Sequence, residues 1–233
     1  AVTRTGDFPG LPGSNNYKVF EAGAKAIGYT EVSTGRMAIN SIDNDERPAC
    51  QQTGFCFQGC KWGAKWSAAY TDIPKGEATG NLEVRDHAHV ARILHNDQGR
   101  VTGVEYFDKD GVLQFQAARI VAVAGNSFES PRLLLNSASE MFPDGLANSS
   151  GQVGRNYMRH TTGSVYGIFE KPVRMWRGTT MAGIMQDEAR HDPSRGFVGG
   201  YELETLSLGL PFMAAFLDPG RWGREFTTAL DQY

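Results

Sequence analysis

Val101-Thr102-Gly103-Val104-Glu105-Tyr106-Phe107, Asp108-Lys109-Asp110-Gly111, Leu113-Gln114-Phe115-Gln116-Ala117 and Ile120-Val121-Ala122-Val123-Ala124-Gly125 together decide how this chain folds. Asp-Lys-Asp-Gly is a turn between two runs rich in β-branched and aromatic residues. Leu113, Phe115 and Ala117 alternate with glutamines, the pattern of a strand with one wet face. Upstream, Val90 to Leu94 reads as a strand and His95-Asn96-Asp97-Gln98-Gly99 as a turn. The whole predicts a three-stranded antiparallel meander, with Leu82 to Val84 as a further short strand. Ile120 to Ala124 shows no alternation. A short apolar run ending at glycine predicts a strand buried on both faces, as in a parallel sheet. Ser130 then reads as a cap and Pro131 as the opening of a helix carrying Leu133, Leu134 and Leu135. Strand, glycine and helix N-terminus in succession are the layout of a nucleotide-contacting edge. The signal is weak alone, and no G-x-G-x-x-G occurs.

Working outward, Ser14 caps a predicted helix to about Ile27, with Tyr17, Phe20, Ala24 and Ile27 on one face and Gly28 as its stop. Residues 30–50 are polar and without period. The stretch from Arg47 to Lys65 reads as loop, and 66–75 as a short helix that Pro74 ends. Residues 139–160 are again loop. Beyond 161 the texture changes, with Ser164–Phe169, Arg174–Met185 and Phe197–Thr205 expected as strands of an antiparallel sheet. Residues 210–233 have helical character. The fold class expected is mixed α/β, divided near 160.

Composition narrows the functions available. The 233 residues are 40% hydrophobic and 21% charged, as in a folded globular chain. Lys and Arg number 23 against 26 Asp and Glu, a net charge of −3, and no basic block occurs. That excludes a nucleic-acid binder by charge. No run of 18 apolar residues exists, so no transmembrane segment is expected. Glycine stands at 28 residues, about 12% against a usual ~7%. Such a chain has many tight turns or brings its backbone close to a ligand. The N-terminus lacks the apolar stretch of a signal peptide. Both ends read as cut, so an internal piece of a longer protein is expected.

Cys50, Cys56 and Cys60 are the only cysteines, spaced C-x5-C-x3-C. Three thiols within eleven residues suggest a shared ligand. Spacing alone leaves three readings open: an iron–sulfur cluster held by thiolates, free thiols or a disulfide with one cysteine left over, and zinc, which usually takes four ligands. Of the histidines, His95 and His191 read as solvated turn residues. His87 and His89 could form a metal pair. His160 lies at the change of texture, where ligand sites often sit. No G-x-S-x-G nucleophile elbow occurs.

Several segments together resemble the glucose–methanol–choline (GMC) family of flavin oxidoreductases. Gly59-Cys60-Lys61-Trp62-Gly63-Ala64-Lys65-Trp66-Ser67 resembles the family's loop approaching the flavin. Thr79-Gly80-Asn81-Leu82-Glu83-Val84 through His89-Val90-Ala91 resembles the strand whose backbone meets the adenine. Ala124-Gly125-Asn126 with Ser130-Pro131-Arg132-Leu133-Leu134-Leu135 is similar to the second family signature. It departs from that signature in spacing, and in Asn136-Ser137-Ala138-Ser139. Val153-Gly154-Arg155-Asn156-Tyr157-Met158-Arg159-His160 is similar to the family's G-x-N-x-x-x-H segment.

The resemblance implies part of a Rossmann-like FAD-binding domain over 1–160, with a cysteine-rich loop at 47–65. It implies part of an antiparallel-sheet substrate domain over 161–233. It implies FAD as cofactor, contacted by Val90, Ala124, Gly125, Asn126, Gly63 and Ala64, and oxidation of a CH–OH group of a sugar, sugar acid or polyol. Within the family, the cysteine spacing resembles the sugar dehydrogenases that carry a three-iron, four-sulfur cluster, with one iron on each of Cys50, Cys56 and Cys60. That branch implies a cytochrome c subunit, a small chaperone-like subunit, a cytochrome or quinone acceptor, and a periplasmic site at the membrane, while three reduced thiols fit the cytoplasm equally well. The family's phosphate-binding glycine loop and its catalytic histidine pair are not found in 1–233, so the catalytic residues are expected outside this stretch. Two alternatives remain: a cluster-free alcohol or sterol oxidase using oxygen, and a non-catalytic electron-transfer or binding module.

Overall fold

The structure, a computed structural model, describes residues 8–180, 183–207, 215 and 219–231. The chain divides into two compact units, one drawn from 1–79 and 166–233, the other from 80–165. This division interleaves the chain, whereas the expected division near 160 follows a change of sequence texture. Helix and antiparallel sheet both contribute, giving the mixed class.

In the unit 80–165, β1 (His89–His95), β2 (Val101–Phe107) and β3 (Leu113–Ala117) form the meander, in that order and antiparallel throughout. The register runs from Val90 opposite Tyr106 to Phe107 opposite Leu113. Side chains make both turns. The Asp108 carboxylate accepts from the N–H of Asp110 at 3.0 Å and of Val112 at 2.9 Å. Asn96 Oδ1 accepts from the N–H of Gln98 and of Arg100. Asn and Asp favour turns because their short side chains reach the backbone two residues on. Helix α1 (Asn126–Asn136) packs on β1. The seam is closed by Ile93, 4% exposed. Its N–H donates to Ser137 Oγ at 2.9 Å, and that hydroxyl donates to the Leu133 carbonyl at 2.7 Å.

Four expectations change here. Leu82 to Val84 is irregular chain rather than strand. Ile120 to Ala124 is extended without a ladder, and Ile120 is 86% exposed. A strand buried on both faces needs neighbours to pair with and layers to cover it. Among the described residues, no strand pairs with this run. Helix α1 begins at Asn126, earlier than expected. Gly125 is the cap, and Asn126 takes φ +63° with its Oδ1 accepting from the N–H of Phe128 at 2.8 Å. Ser130 instead accepts from the Gly125 N–H at 2.9 Å, and Pro131 lies inside the helix. His95 is not a solvated turn residue. Its Nδ1 bonds the Asn96 carbonyl at 2.8 Å and its Nε2 meets Ser139 Oγ at 2.7 Å. A carbonyl only accepts, so Nδ1 carries a hydrogen. The Phe142 ring stands edge-on to it at 4.9 Å.

The other unit has little regular structure. Helix α2 (Asn15–Ala26) starts at Ser14, whose Oγ accepts from the Tyr17 N–H, and ends before Gly28 at φ +95°. Strands β4 (Val32–Ser33), β5 (Ile184–Met185) and β6 (Leu203–Glu204) form a three-stranded antiparallel sheet around the fully buried Met185. The Asp187 carboxylate joins β5 to the chain before β4, accepting from the N–H groups of Thr30 at 2.9 Å and Glu31 at 2.8 Å. Helices α3 (Asp72–Ala78) and α4 (Gly223–Leu230) complete the unit.

The expected sheet beyond 161 is therefore much shorter than predicted. Residues 164–169 form no strand, and Val165 is 99% exposed. The runs 174–185 and 197–205 pair over two residues each, with 181–182 outside the described residues. Between them the chain wraps around Arg195. Its guanidinium meets Glu188 Oε2 at 3.0 Å and donates to the Arg190 carbonyl at 2.8 Å. His191 is exposed, as expected of a turn residue, and its Nδ1 accepts from the Gly199 N–H. Pro74 does not end a helix. It lies in the first turn of α3, where a missing N–H costs nothing. The helical expectation for 210–233 is met by α4, while 208–214, 216–218 and 232–233 lie outside the described residues.

Candidate functional site

Arg47-Pro48-Ala49-Cys50 opens a loop that regular structure does not hold. Its anchors are single residues. The Cys50 N–H donates to the Asn40 carbonyl at 2.8 Å, and the Asn40 N–H donates to the Ala64 carbonyl at 2.9 Å. Ile39 bridges Lys65, and the Trp66 N–H donates to Ala38. The Arg47 guanidinium donates to the carbonyls of Gly63 at 3.0 Å and Ala64 at 3.3 Å, and to Asn40 Oδ1. On the other side, the Gly178 N–H donates to the Gln52 carbonyl and Thr53 bridges Gly178 in parallel. Gly54 has φ +75°, and a Cβ there would lie 2.1 Å from the Trp176 carbonyl oxygen. Only glycine allows that approach.

The loop brings Cys50, Cys56 and Cys60 together as half-buried free thiols lining one recess, with Phe55, Trp62 and Lys65. No disulfide joins them. Burial pushes the Cys50 thiol up, and the neighbouring Cys56 and Cys60 act in the same direction. Lys65 Nζ donates to the Cys56 carbonyl at 3.2 Å and lies over the Phe57 ring. Tyr70 donates to the Lys65 carbonyl. Among the described residues, no three His, Cys, Asp or Glu side chains are placed to hold one metal ion.

The remaining predicted residues separate between the units. Gly63 and Ala64 lie beside the cysteine recess, Ala64 fully buried. Val90 lies in β1, an edge strand of the meander, at a recess with His89, Phe107, Glu129, Arg132 and Asn136. Glu129 and Arg132 pair at 2.9 Å, three residues apart along α1. Ala124, Gly125 and Asn126 lead into α1. The N–H groups of Gly125, Phe128 and Glu129 are already taken by Ser130 Oγ and Asn126 Oδ1, which leaves this helix terminus little to offer a phosphate. His87, His89 and His160 are exposed.

Two residues of the site carried no signal in the sequence. Asn40 is 5% exposed, and its Nδ2 donates to the carbonyls of Asn44 and Arg47. A buried asparagine in a polar stretch without period has no signature. Arg47 was visible only as the first residue of the stretch read as loop.

Residues 10–162 match the family described as GMC oxidoreductase. The 2-methyl-1,2-propanediol dehydrogenase of Mycolicibacterium austroafricanum is 33% identical over 196 residues, 81% of this chain and 35% of that protein. The fructose dehydrogenase large subunit of Gluconobacter japonicus is 33% identical over 141 residues, 60% of this chain and 25% of that protein. The gluconate 2-dehydrogenase flavoprotein of Pantoea cypripedii is 26% identical across 99% of this chain and 40% of that protein. The chain thus spans between a quarter and two fifths of the length of these relatives.

Proposed function

This chain belongs to the GMC oxidoreductase family, a family that binds FAD, and from that membership we propose that its parent protein is an FAD-dependent dehydrogenase. Its substrate is the CH–OH group of a sugar, sugar acid or polyol. The relatives named as fructose, gluconate and propanediol dehydrogenases support that class. FAD supplies the two-electron oxidation when bound, and the protein supplies position and electrostatics. In this reading the Gly63–Ala64 backbone lies beside the flavin. The recess at Val90 takes the adenine against an edge strand, and the segment 124–126 lies along the same cofactor. The segment from 161 onward forms one wall of the substrate site.

The observation that carries the finer reading is the shared recess of Cys50, Cys56 and Cys60. We assign to it a three-iron, four-sulfur cluster, one iron per thiol, which hands electrons on singly to a cytochrome or quinone. The relatives named as a large subunit and a flavoprotein support assembly with further subunits. A cytochrome c subunit and a small chaperone-like subunit at the periplasmic face of the membrane complete the proposal. Among the described residues no helix is long and apolar enough to cross a membrane, so membrane attachment is assigned to a partner.

The test is anaerobic purification of the parent protein, with iron, sulfide and FAD measured per chain and an EPR spectrum of the oxidised protein. About three irons per FAD are expected, with a signal lost in Cys56→Ser. FAD without iron overturns the cluster and makes oxygen the acceptor to examine. Neither cofactor overturns the dehydrogenase reading altogether.

A further inference from the structure

We propose that Asn40 and Arg47 are positioning residues that lock the cysteine recess and the Gly63–Ala64 turn into one register, so that a disturbance of either is felt at the other. The proposal rests on the functional reading above, in which the recess holds the cluster and the turn lies beside the flavin. Its basis is a chain of contacts within one unit. Asn40 donates its backbone N–H to Ala64 and accepts the Cys50 N–H on its carbonyl, at 2.9 and 2.8 Å. A single peptide segment therefore separates a predicted cluster ligand from a predicted flavin neighbour.

Arg47 binds the Ala64 end of that segment and Asn40 at its middle. One guanidinium nitrogen donates to Gly63 and Ala64, and another to Asn40 Oδ1. Asn40 Nδ2 returns a bond to the Arg47 carbonyl at 3.3 Å. Each residue thus grips the other, and together they grip the turn. One prong of the fork thus serves the Gly63 and Ala64 carbonyls and the other Asn40 Oδ1, a two-sided grip that a planar guanidinium makes and a lysine ammonium, a point charge on a flexible stem, does not. Arg47 also stands four residues before the loop's Gln51, outside the recess lining itself, so its role is to hold rather than to ligate. A residue that merely stabilised the loop would lower the melting temperature and leave the signals of the folded protein unchanged. A register lock moves them.

The experiment uses the full-length holoprotein with Arg47→Lys and Asn40→Ala, and Lys75→Gln at the exposed Asp45 pair as control. Three signals are followed: the visible spectrum of the flavin, its midpoint potential, and the labelling rate of Cys50 by a thiol reagent after iron is chelated. Arg47→Lys keeps charge and bulk but loses the fork. It is expected to speed Cys50 labelling about tenfold by loosening the local structure, and to shift both flavin signals. Asn40→Ala keeps the backbone relay and is expected to move the same signals less. Lys75→Gln moves none. Faster labelling with unchanged flavin signals in both variants overturns the proposal, as does no change in any signal. Wild-type protein with FAD but no iron overturns the cluster while the labelling and flavin arms still test the lock. Wild-type protein without FAD overturns the functional reading and the lock with it.

Discussion

The meander and the cysteine loop are held by opposite means. In the meander, strands of seven, seven and five residues pair in sequence order, so most bonds join residues close along the chain. In the cysteine-loop unit the strands pair over two residues each, and the rest is assembled from single contacts. Asn15 Nδ2 donates to the Val173 carbonyl 158 residues away. Thr53 bridges Gly178, and Arg47 reaches Gly63 and Ala64. A ladder shares its load among many equivalent bonds. A lattice of single contacts gives each one a distinct task, which is how a loop can be aimed at a ligand.

The largest effect expected from breaking this contrast is in the meander's seam. Ile93→Ala removes the unit's buried side chain between β1 and α1 and should cost about 2–5 kcal/mol. Urea unfolding should show the loss, and amide exchange should confine it to 80–165. Equal acceleration at 183–205 would show that the two units do not unfold separately. Gly54→Ala comes next. It places a Cβ against the Trp176 carbonyl at a positive φ and should cost about 1–3 kcal/mol as local overpacking. Faster exchange at Gly178 and faster labelling of the cysteines, with the meander unchanged, is the expected pattern.

The smallest effect is in acid. The Val112 N–H above all holds the Asp108 carboxyl below its ordinary value near 3.8. At Asp187, partial burial pushes upward, but the N–H groups of Thr30 and Glu31 outweigh it and the net shift is downward. A lowered folded value means stability that is present above the unfolded value and is lost as pH falls through the folded one. Below pH 3.8 the β2–β3 turn and the β4–β5 junction should therefore both loosen. Exchange at Val112 and Glu31 follows each. Asp108→Asn and Asp187→Asn should each abolish that acid response at its own site.

The meander was legible because period-2 patterning and Asp or Asn turns are local chemistry. The strand bounds Val101–Phe107 and the cap at Ser14 follow from neighbours within a few residues. The run Ile120–Ala124 misled because its composition speaks of a buried strand, while pairing depends on partners that composition does not name. The strands expected beyond 161 shortened because Arg195 gathers residues 188–201 into its own excursion, and an arginine in a polar stretch gives no sign of that. At the candidate site the thiols were legible from spacing. The turn Gly63–Ala64 was named by resemblance, but Asn40 and Arg47 were not, since a side chain bonding distant carbonyls leaves no periodic trace.

The bridge between Thr53 and Gly178 also sets a clock. Gly178 leaves the ribosome 125 residues after Thr53, which at ordinary rates of synthesis is roughly 6–25 s. For that interval the backbone that clamps one side of the cysteine loop does not yet exist. Three thiols wait in an unfinished chain, open to oxidants and to one another. A cell that makes this protein must keep them reduced until the later segment arrives, and any group they are to hold can be seated firmly only after that.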